Sequence, residues 1–218
     1  MPRIAYKNAE GKALKGATTV AKQVGWGQAP LMWWANKQGL EGRTLQESYD
    51  TATVPGTIAH YLIECHLKNE KPKLNLEWSN EDVEKGRIAF ANFETWTKQF
   101  KFKPLHVEPN LVSEKYQFGG TPDVVAEVMG EPALVDWKTG KIYESTFLQL
   151  AAYGKLIAEN YPELAGLDGG FHVLRIPKNE DVPSFHHHHW GALPSEAWEA
   201  FRYCLRLGVI EKELKKYL

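Results

Sequence analysis

The residues best suited to chemistry lie in GGTPDVVAEVMGEPALVDWKTGK, residues 119–141. Asp136 and Lys138 are two residues apart on a predicted strand, so both side chains project from the same face. A predicted hairpin brings Asp123, at the start of the partner strand, across to Asp136. Two converging carboxylates form a hard oxygen site suited to Mg²⁺ or Mn²⁺. The lysine beside them can orient or help to deprotonate a water in phosphodiester hydrolysis, or neutralise charge in the transition state.

The specificity of this pattern depends on its full spacing. A D-x-K triplet is common by chance, and Asp136 with Lys138 alone would more often be a solvated strand edge. The longer pattern D-x12-D-x-K on one hairpin favours a chemical site more strongly.

Two further groups, both upstream of the hairpin, could complete a metal site. His60 lies in GTIAH on a predicted helix, where its imidazole could be a ligand, although a lone histidine is more often structural. Glu108 lies on the predicted strand before the hairpin and offers a third carboxylate. Glu114 competes for that role, but its turn-like surroundings indicate a surface charge.

Gln149 and Tyr153 are polar residues on the helix predicted after the sheet. They are four residues apart, so they share one helix face. Both could reach a phosphate or a base at the mouth of the site. The alternative is an ordinary half-buried pair on a helix.

Five sequence blocks occur together in chain order, and their joint presence is far more specific than any one of them. They are GT-x-x-H at 56–60, Glu108, GG-x-x-D at 119–123, VDWKTGK at 135–141 and QLAAY at 149–153. This set resembles the PD-(D/E)XK nuclease superfamily, and more narrowly its RecB-like and Cas4-like branch, including stand-alone phage exonucleases. The segment 18–39 also looks like the opening helix of phage members.

The resemblance implies a role for each of these residues. Asp123 and Asp136 would ligate a catalytic divalent metal, Mg²⁺ or Mn²⁺. His60 and the carbonyl oxygen of Trp137 would be additional ligands. Lys138 would activate or position the attacking water.

The resemblance also implies accessory roles and an activity. Glu108 would orient a metal or a water, and Gln149 and Tyr153 would position the scissile strand. The implied activity is that of a DNA exonuclease acting from ends in recombination, repair or phage DNA processing. Two alternatives stay open: a structure- or sequence-specific endonuclease on the same fold, and a non-catalytic DNA-binding module that keeps the scaffold.

The expected partner is DNA with ends, either single- or double-stranded. No P-loop motif occurs in the sequence, so ATP-driven unwinding would need a helicase partner; a recombinase or annealing protein is a further candidate. The net charge of −1 argues against coating of nucleic acid by bulk charge. Because carboxylates of a metal site contribute to that count, the sequence predicts only modest DNA affinity without metal.

Cys65 and Cys204 are too few and too far apart for the iron–sulfur cluster of some Cas4 proteins, so no cluster is expected. They are predicted to be reduced core thiols. The sequence shows no signal peptide, and no apolar run approaches roughly 20 residues, so no membrane association is expected. These features predict a cytoplasmic protein, of a cell or of a phage acting in its host.

The elements that must position the site predict an α/β domain in which helices flank one central mixed sheet. The resemblance implies that this sheet forms a restriction-endonuclease-like core. Residues 1–218 are expected to form a single nuclease domain, with a helical part at 1–50, the catalytic core at 51–160, and a strand pair and helix at 161–218.

Composition and periodicity locate the individual elements. The basic residues 1–24 are expected to be poorly ordered, and residues 29–42 predict a short buried helix on the spacing of Leu31, Trp34 and Ala35. Further helices are predicted after Pro55-Gly56, from Ser79 to about Phe100, from Ser145 to Asn160, and from Ser195 with Trp198, Phe201, Leu205 and Ile210 facing inward. Strands are predicted at 105–112, at 115–119, at the hairpin, and at 170–177 and 184–191.

The run from His186 to His189 falls on the last predicted strand. Alternation along a strand would turn His186 and His188 to one face and His187 and His189 to the other. An exposed strand tract is therefore favoured over one specific four-histidine site, although adventitious Ni²⁺ or Zn²⁺ binding is expected either way.

Overall fold

A computed structural model describes residues 5–26, 28–179 and 184–218 as a mixed α/β fold with two mixed sheets flanked by helices. The strands are β1 Tyr6–Lys7, β2 Ala13–Gly16, β3 Phe102–Val107, β4 Leu111–Ser113, β5 Phe118–Gly120, β6 Val124–Val128, β7 Glu131–Lys138, β8 Gly170–Arg175 and β9 His186–Trp190. The helices are α1 Ala17–Ala21, α2 Gln28–Leu40, α3 Leu45–Leu67, α4 Asn80–Gln99, α5 Ser145–Asn160 and α6 Ser195–Leu214. The predicted fold class is confirmed. None of the described helices is long and apolar enough to cross a membrane.

The main sheet has the strand order β3-β6-β7-β8-β9. β6 and β7 form the predicted hairpin, with Val124 opposite Val135, and Met129 and Gly130 both take the positive φ angles that a tight hairpin turn requires. β8 then runs parallel to β7 and places Val173 beside Asp136. The chemistry-bearing strand therefore lies in the middle of the sheet.

A second sheet, of order β1-β2-β5-β4, corrects the expectation of one central sheet. The predicted strand 105–112 divides between the two sheets: residues up to Val107 belong to β3 of the main sheet, whereas β4 and β5 pair with each other and β5 pairs with the N-terminal strand β2. Close packing explains the pairing: a Cβ on Gly119 would come within 2.2 Å of the Tyr6 ring. The basic start of the chain is likewise not a loose arm, since β1, β2 and α1 form over its described part; residues 1–4 lie outside the described residues.

The helices α3 and α4 cover one face of the main sheet and bury Ile63, Phe93, Trp96 and Trp137 in a shared core. α4 begins after Ser79, as predicted, and the Ser79 hydroxyl accepts a hydrogen bond from the Asp82 amide. The start of α3, by contrast, differs from its prediction.

The predicted start of α3 at Pro55-Gly56 is wrong, because the helix begins ten residues earlier in an N-terminal capping box. Thr44 accepts from the Glu47 amide, and the Glu47 carboxylate accepts from the Thr44 amide. Pro55 lies buried inside the helix, where it removes one backbone donor without ending the helix.

The opposite face of the sheet is covered by α5, α1 and α6. α5 spans the predicted residues, and α6 buries Ala197, Phe201 and Cys204 against it. Both cysteines are free and buried, as expected. Ile210, predicted to face inward, is 36% exposed.

The helix α2 is not the buried helix that its spacing predicts. Leu31 is 54% exposed and Trp33 is 76% exposed, whereas Gln38 is buried and accepts a hydrogen bond from Arg43. Trp34 and Ala35, the other two predicted positions, are half-buried on the same face as Gln38, so the spacing identified the side that packs but not how exposed the helix is.

Candidate active site

Asp123 and Asp136 meet where the hairpin strands leave the sheet. The Asp123 Oδ2 atom accepts a hydrogen bond of 2.9 Å from the backbone N–H of Trp137, which fixes this carboxylate against β7. Asp136 is one residue earlier on β7 and is 1% exposed. The hairpin therefore brings the two carboxylates together, as its spacing predicts.

Lys138 and Asp136 form a close ion pair, with Lys138 Nζ 2.6 Å from Asp136 Oδ2. Burial would lower the pKa of Lys138, but the charges of Asp136 and Asp123 outweigh it and raise that pKa. Burial raises the pKa of Asp136, and Lys138 offsets only part of this effect. No described residue gives Asp136 Oδ2 a well-aligned hydrogen bond, so this buried oxygen has ligand capacity left.

His60, Glu108 and Asp123 form a second group beside this pair. One ligand atom from each lies within 4.8 Å of the other two, and His60 Nδ1 is 3.4 Å from Asp123 Oδ1. A Cβ on Gly56 would lie 2.7 Å from the Thr139 hydroxyl oxygen, so glycine allows α3 to approach the end of β7 this closely.

The histidine and carboxylate of this group stabilise each other's charges. Burial disfavours the imidazolium of His60, but the Asp123 carboxylate outweighs burial and raises the pKa of His60. Burial likewise opposes ionisation of Asp123, but His60, Lys138 and the Trp137 amide together lower the pKa of Asp123. Asp123 is therefore ionised at neutral pH.

Glu108 sits just after β3 with a φ angle of 47°, an uncommon value for a residue with a side chain. Its N–H donates to the Asp123 carbonyl oxygen over 2.9 Å, which holds this strained turn in place. Burial, followed by the charges of Asp123 and Glu64, raises the pKa of Glu108 to about 7. Glu114, by contrast, is exposed and accepts from the Ala9 amide, in agreement with its predicted surface position.

Gln149 and Tyr153 lie on one face of α5 and connect to Lys138. The Lys138 ammonium donates to Gln149 Oε1 over 3.4 Å, and Gln149 Nε2 donates to the Tyr153 hydroxyl over 2.9 Å. Gln149 Nε2 also donates to the Thr18 hydroxyl over 3.3 Å. Sequence reasoning did not place Thr18 in the site; the T-T-V letters that open α1 were the available signal.

The histidine run divides between the two faces of β9, as alternation predicts. His187 and His189 lie on the face of His172, whose Nδ1 is 2.7 Å from His187 Nε2, and His186 and His188 lie on the other face. Only His187 of the four is half-buried; the other three are exposed. Among the described residues, the group that could hold a metal ion is His60, Glu108 and Asp123, which does not include this run.

The donor set at the hairpin fits a hard divalent cation. It combines one imidazole with carboxylate oxygens, and the buried Asp136 Oδ2 lacks an aligned donor. Residues 28–211 match the family model of the PD-(D/E)XK nuclease superfamily. No curated protein matches the chain significantly.

Proposed function

Since the chain belongs to the PD-(D/E)XK nuclease superfamily, whose members use divalent metals, we propose that it is a metal-dependent DNA exonuclease that hydrolyses phosphodiester bonds from DNA ends. The observation that carries the proposal is the convergence of His60, Glu108 and Asp123 beside the Asp136–Lys138 ion pair. We also propose a single nuclease domain over residues 1–218, which the family match supports for residues 28–211.

We assign the metal to Asp123 and Asp136, with His60 and the Trp137 carbonyl oxygen as additional ligands. The ion, Mg²⁺ or Mn²⁺, would supply Lewis acidity and a lowered pKa for water. Asp123 suits this role because its pKa is lowered and it stays ionised. No iron–sulfur cluster is proposed, because the two buried cysteines lie on different helices.

Lys138 is proposed to position the attacking water and to neutralise charge on the phosphoryl oxygens. A raised pKa keeps its ammonium protonated, which favours this role over proton abstraction. Glu108 is the better group to accept the water's proton, because a pKa of about 7 lets it exchange protons near neutrality.

Gln149 and Tyr153 are proposed to position the scissile strand at the mouth of the site. Gln149 accepts from Lys138 and donates to the Tyr153 hydroxyl, which places both groups beside the centre that would hold the phosphate. Burial raises the pKa of Tyr153, so its hydroxyl remains protonated and can donate to a phosphate oxygen.

The proposed biological setting is DNA recombination, repair or phage DNA processing in the cytoplasm. Duplex unwinding would come from a separate helicase, and a recombinase or annealing protein would take the single-stranded product. The runner-up function is an endonuclease built on the same site.

The deciding experiment compares linear DNA, labelled at the 5′ or 3′ end, with closed circular DNA in Mg²⁺, Mn²⁺ or EDTA. An exonuclease releases label progressively from linear DNA and leaves closed circles intact. Cleavage of closed circles would favour the endonuclease, and no cleavage in either metal by the folded protein would favour a non-catalytic DNA-binding module.

A further inference from the structure

The outer face of α6 carries a continuous apolar stripe. Tyr203 is 61% exposed, Leu207 54%, Ile210 36% and Leu214 61%. The spacings of four, three and four residues align these side chains along one side of the helix. An ordinary protein surface exposes single apolar side chains that are scattered, whereas here four large ones lie in a row.

This stripe lies on the side of α6 that points away from the protein's own core. The buried residues Ala197, Phe201, Cys204 and Gly208 form the inward stripe. At about 100° per residue, the centre of the outer stripe lies roughly 120° around the helix axis from the centre of the inward one. The residues of the outer stripe therefore stay exposed while the inward stripe packs on the core.

We propose that the outer face of α6 binds the same face of a second copy of this chain, in an antiparallel helix pair. The spacing is that of the alternating core positions of a two-helix seam. In the symmetric register, Leu207 packs on Ile210 of the partner subunit and Tyr203 on Leu214 of the partner subunit. The two-fold axis repeats each contact, which gives four apolar layers and a closed dimer.

The charges beside the stripe complement each other in this register. Arg206 and Glu213 flank the same edge of the stripe, and the antiparallel pairing places Arg206 next to Glu213 of the partner subunit. Within one copy, Glu213 forms an exposed ion pair with Lys216 at 2.6 Å. Because exposed ion pairs contribute little free energy, replacing this pair with one to Arg206 of the partner subunit costs little. Each dimer would gain two such cross-subunit pairs.

The ends of the helix favour the antiparallel orientation over the parallel one. The last turns of α6 carry both signs of charge, since Glu211 pairs with Lys215 and Glu213 with Lys216, so the net charge of the ends does not choose an orientation. The helix dipoles do: an antiparallel pair sets the positive end of each dipole beside the negative end of the other. A parallel pair would set like ends of the two dipoles together.

The area of the stripe predicts a dimer of modest affinity. The exposed side chains and their flanking methylenes offer on the order of 500 Å² per copy, or about 1,000 Å² for the pair. This is the lower limit for a specific interface, so the monomer and dimer should exchange over a micromolar concentration range.

Sedimentation velocity of the full chain, from about 1 µM to about 100 µM, tests the proposal. The parent protein should shift from monomer to dimer, and Leu207→Glu should remain monomeric at every concentration. Leu40→Glu is the matched control, because Leu40 is 82% exposed on α2, away from the stripe. This variant should dimerise like the parent.

Charge reversal tests the orientation. Arg206→Glu and Glu213→Arg should each weaken dimerisation about 10-fold, and the double variant should regain the parent's affinity. A monomeric parent at all concentrations, or a Leu207→Glu variant that dimerises normally, would overturn the proposal. Rescue of Arg206→Glu by Glu211→Arg instead would overturn the antiparallel register. None of these readouts depends on nuclease activity.

Discussion

The Lys138 ammonium lies 2.6 Å from the Asp136 carboxylate, and both side chains leave the same face of β7 two residues apart. This contact keeps the lysine protonated, because Asp136 and Asp123 outweigh the effect of burial on its pKa. A fixed cation beside a carboxylate centre can hold a phosphate against the acids that would otherwise repel it.

Replacing Lys138 with alanine should lower the single-turnover cleavage rate by about 10²-fold or more, because the fixed positive charge is lost from the transition state. The rate is measured on labelled linear DNA in Mn²⁺. Lys141→Ala is the control, since Lys141 is exposed three residues later and should retain most of the activity. Normal turnover by a folded Lys138→Ala variant would remove this residue from the mechanism.

Mn²⁺ titration by calorimetry should detect one site that depends on His60 and Asp123. Asp123→Asn should weaken Mn²⁺ binding by at least about 10-fold, because it replaces an ionised ligand with a neutral amide. His60→Ala should weaken it less. His186→Ala, on the exposed side of β9, controls for binding to the histidine run and should leave the hairpin site unchanged.

The same titration should depend on pH through Glu108. Its pKa is raised to about 7 by burial and by neighbouring carboxylates. Below that pH the carboxyl is protonated and no longer attracts the cation beside it, so Mn²⁺ affinity should increase as the pH rises from about 6 to about 8. Glu108→Gln should remove this part of the pH dependence, and the ligand His60, whose pKa is also raised, should leave a shallower profile in that variant. An unchanged slope would contradict a titrating Glu108 beside the metal.

Gln149→Ala should slow cleavage about 10-fold with little change in Mn²⁺ affinity, because the amide contacts Lys138 rather than the group of metal ligands. Tyr153→Phe keeps the ring packing and removes only the hydroxyl, so its effect should be smaller. A Gln149→Ala variant that loses metal binding instead would place this residue among the supports of the metal site.

The parts of the site that the sequence predicted are those held by local structure. Asp123 and Asp136 belong to one hairpin, and its Met129-Gly130 turn and β-rich strands can be recognised in the amino-acid sequence. Gln149 and Tyr153 share a helix face because four residues make about one turn. Their proximity therefore follows from element type and spacing alone.

The features that the sequence did not predict depend on distant pairings. Thr18 reaches Gln149 across 131 residues of chain, and Tyr6 reaches Thr121 across 115. Such contacts require the N-terminal strand β2 to pair with β5, which is about 100 residues away along the chain. No local sequence pattern specifies that pairing. The start of α3 was missed for another reason: Pro55 suggested a helix start, while the actual cap lies at Thr44.

The histidines on the inner face of β9 should make the fold sensitive to acid. His172 Nε2 lies 3.0 Å from the Gly169 carbonyl oxygen, so it carries the proton, and His172 Nδ1 must accept from His187 Nε2 at 2.7 Å. Protonating His172 would place two donors face to face in this contact. The His172 ring must therefore be neutral for this hydrogen bond to hold.

Burial lowers the pKa of both His172 and His187 to about 4, whereas an unfolded histidine titrates near 6.5. Between these values the unfolded chain binds more protons, so stability present above about pH 6.5 should be lost as the pH falls toward 4. Allowing for solvent screening, we expect about 1–2 kcal/mol per ring. Urea unfolding at successive pH values measures the slope. His172→Gln should flatten it and His188→Gln, on the exposed face, should not; equal slopes in the parent and in His172→Gln would show that this cluster does not control acid stability.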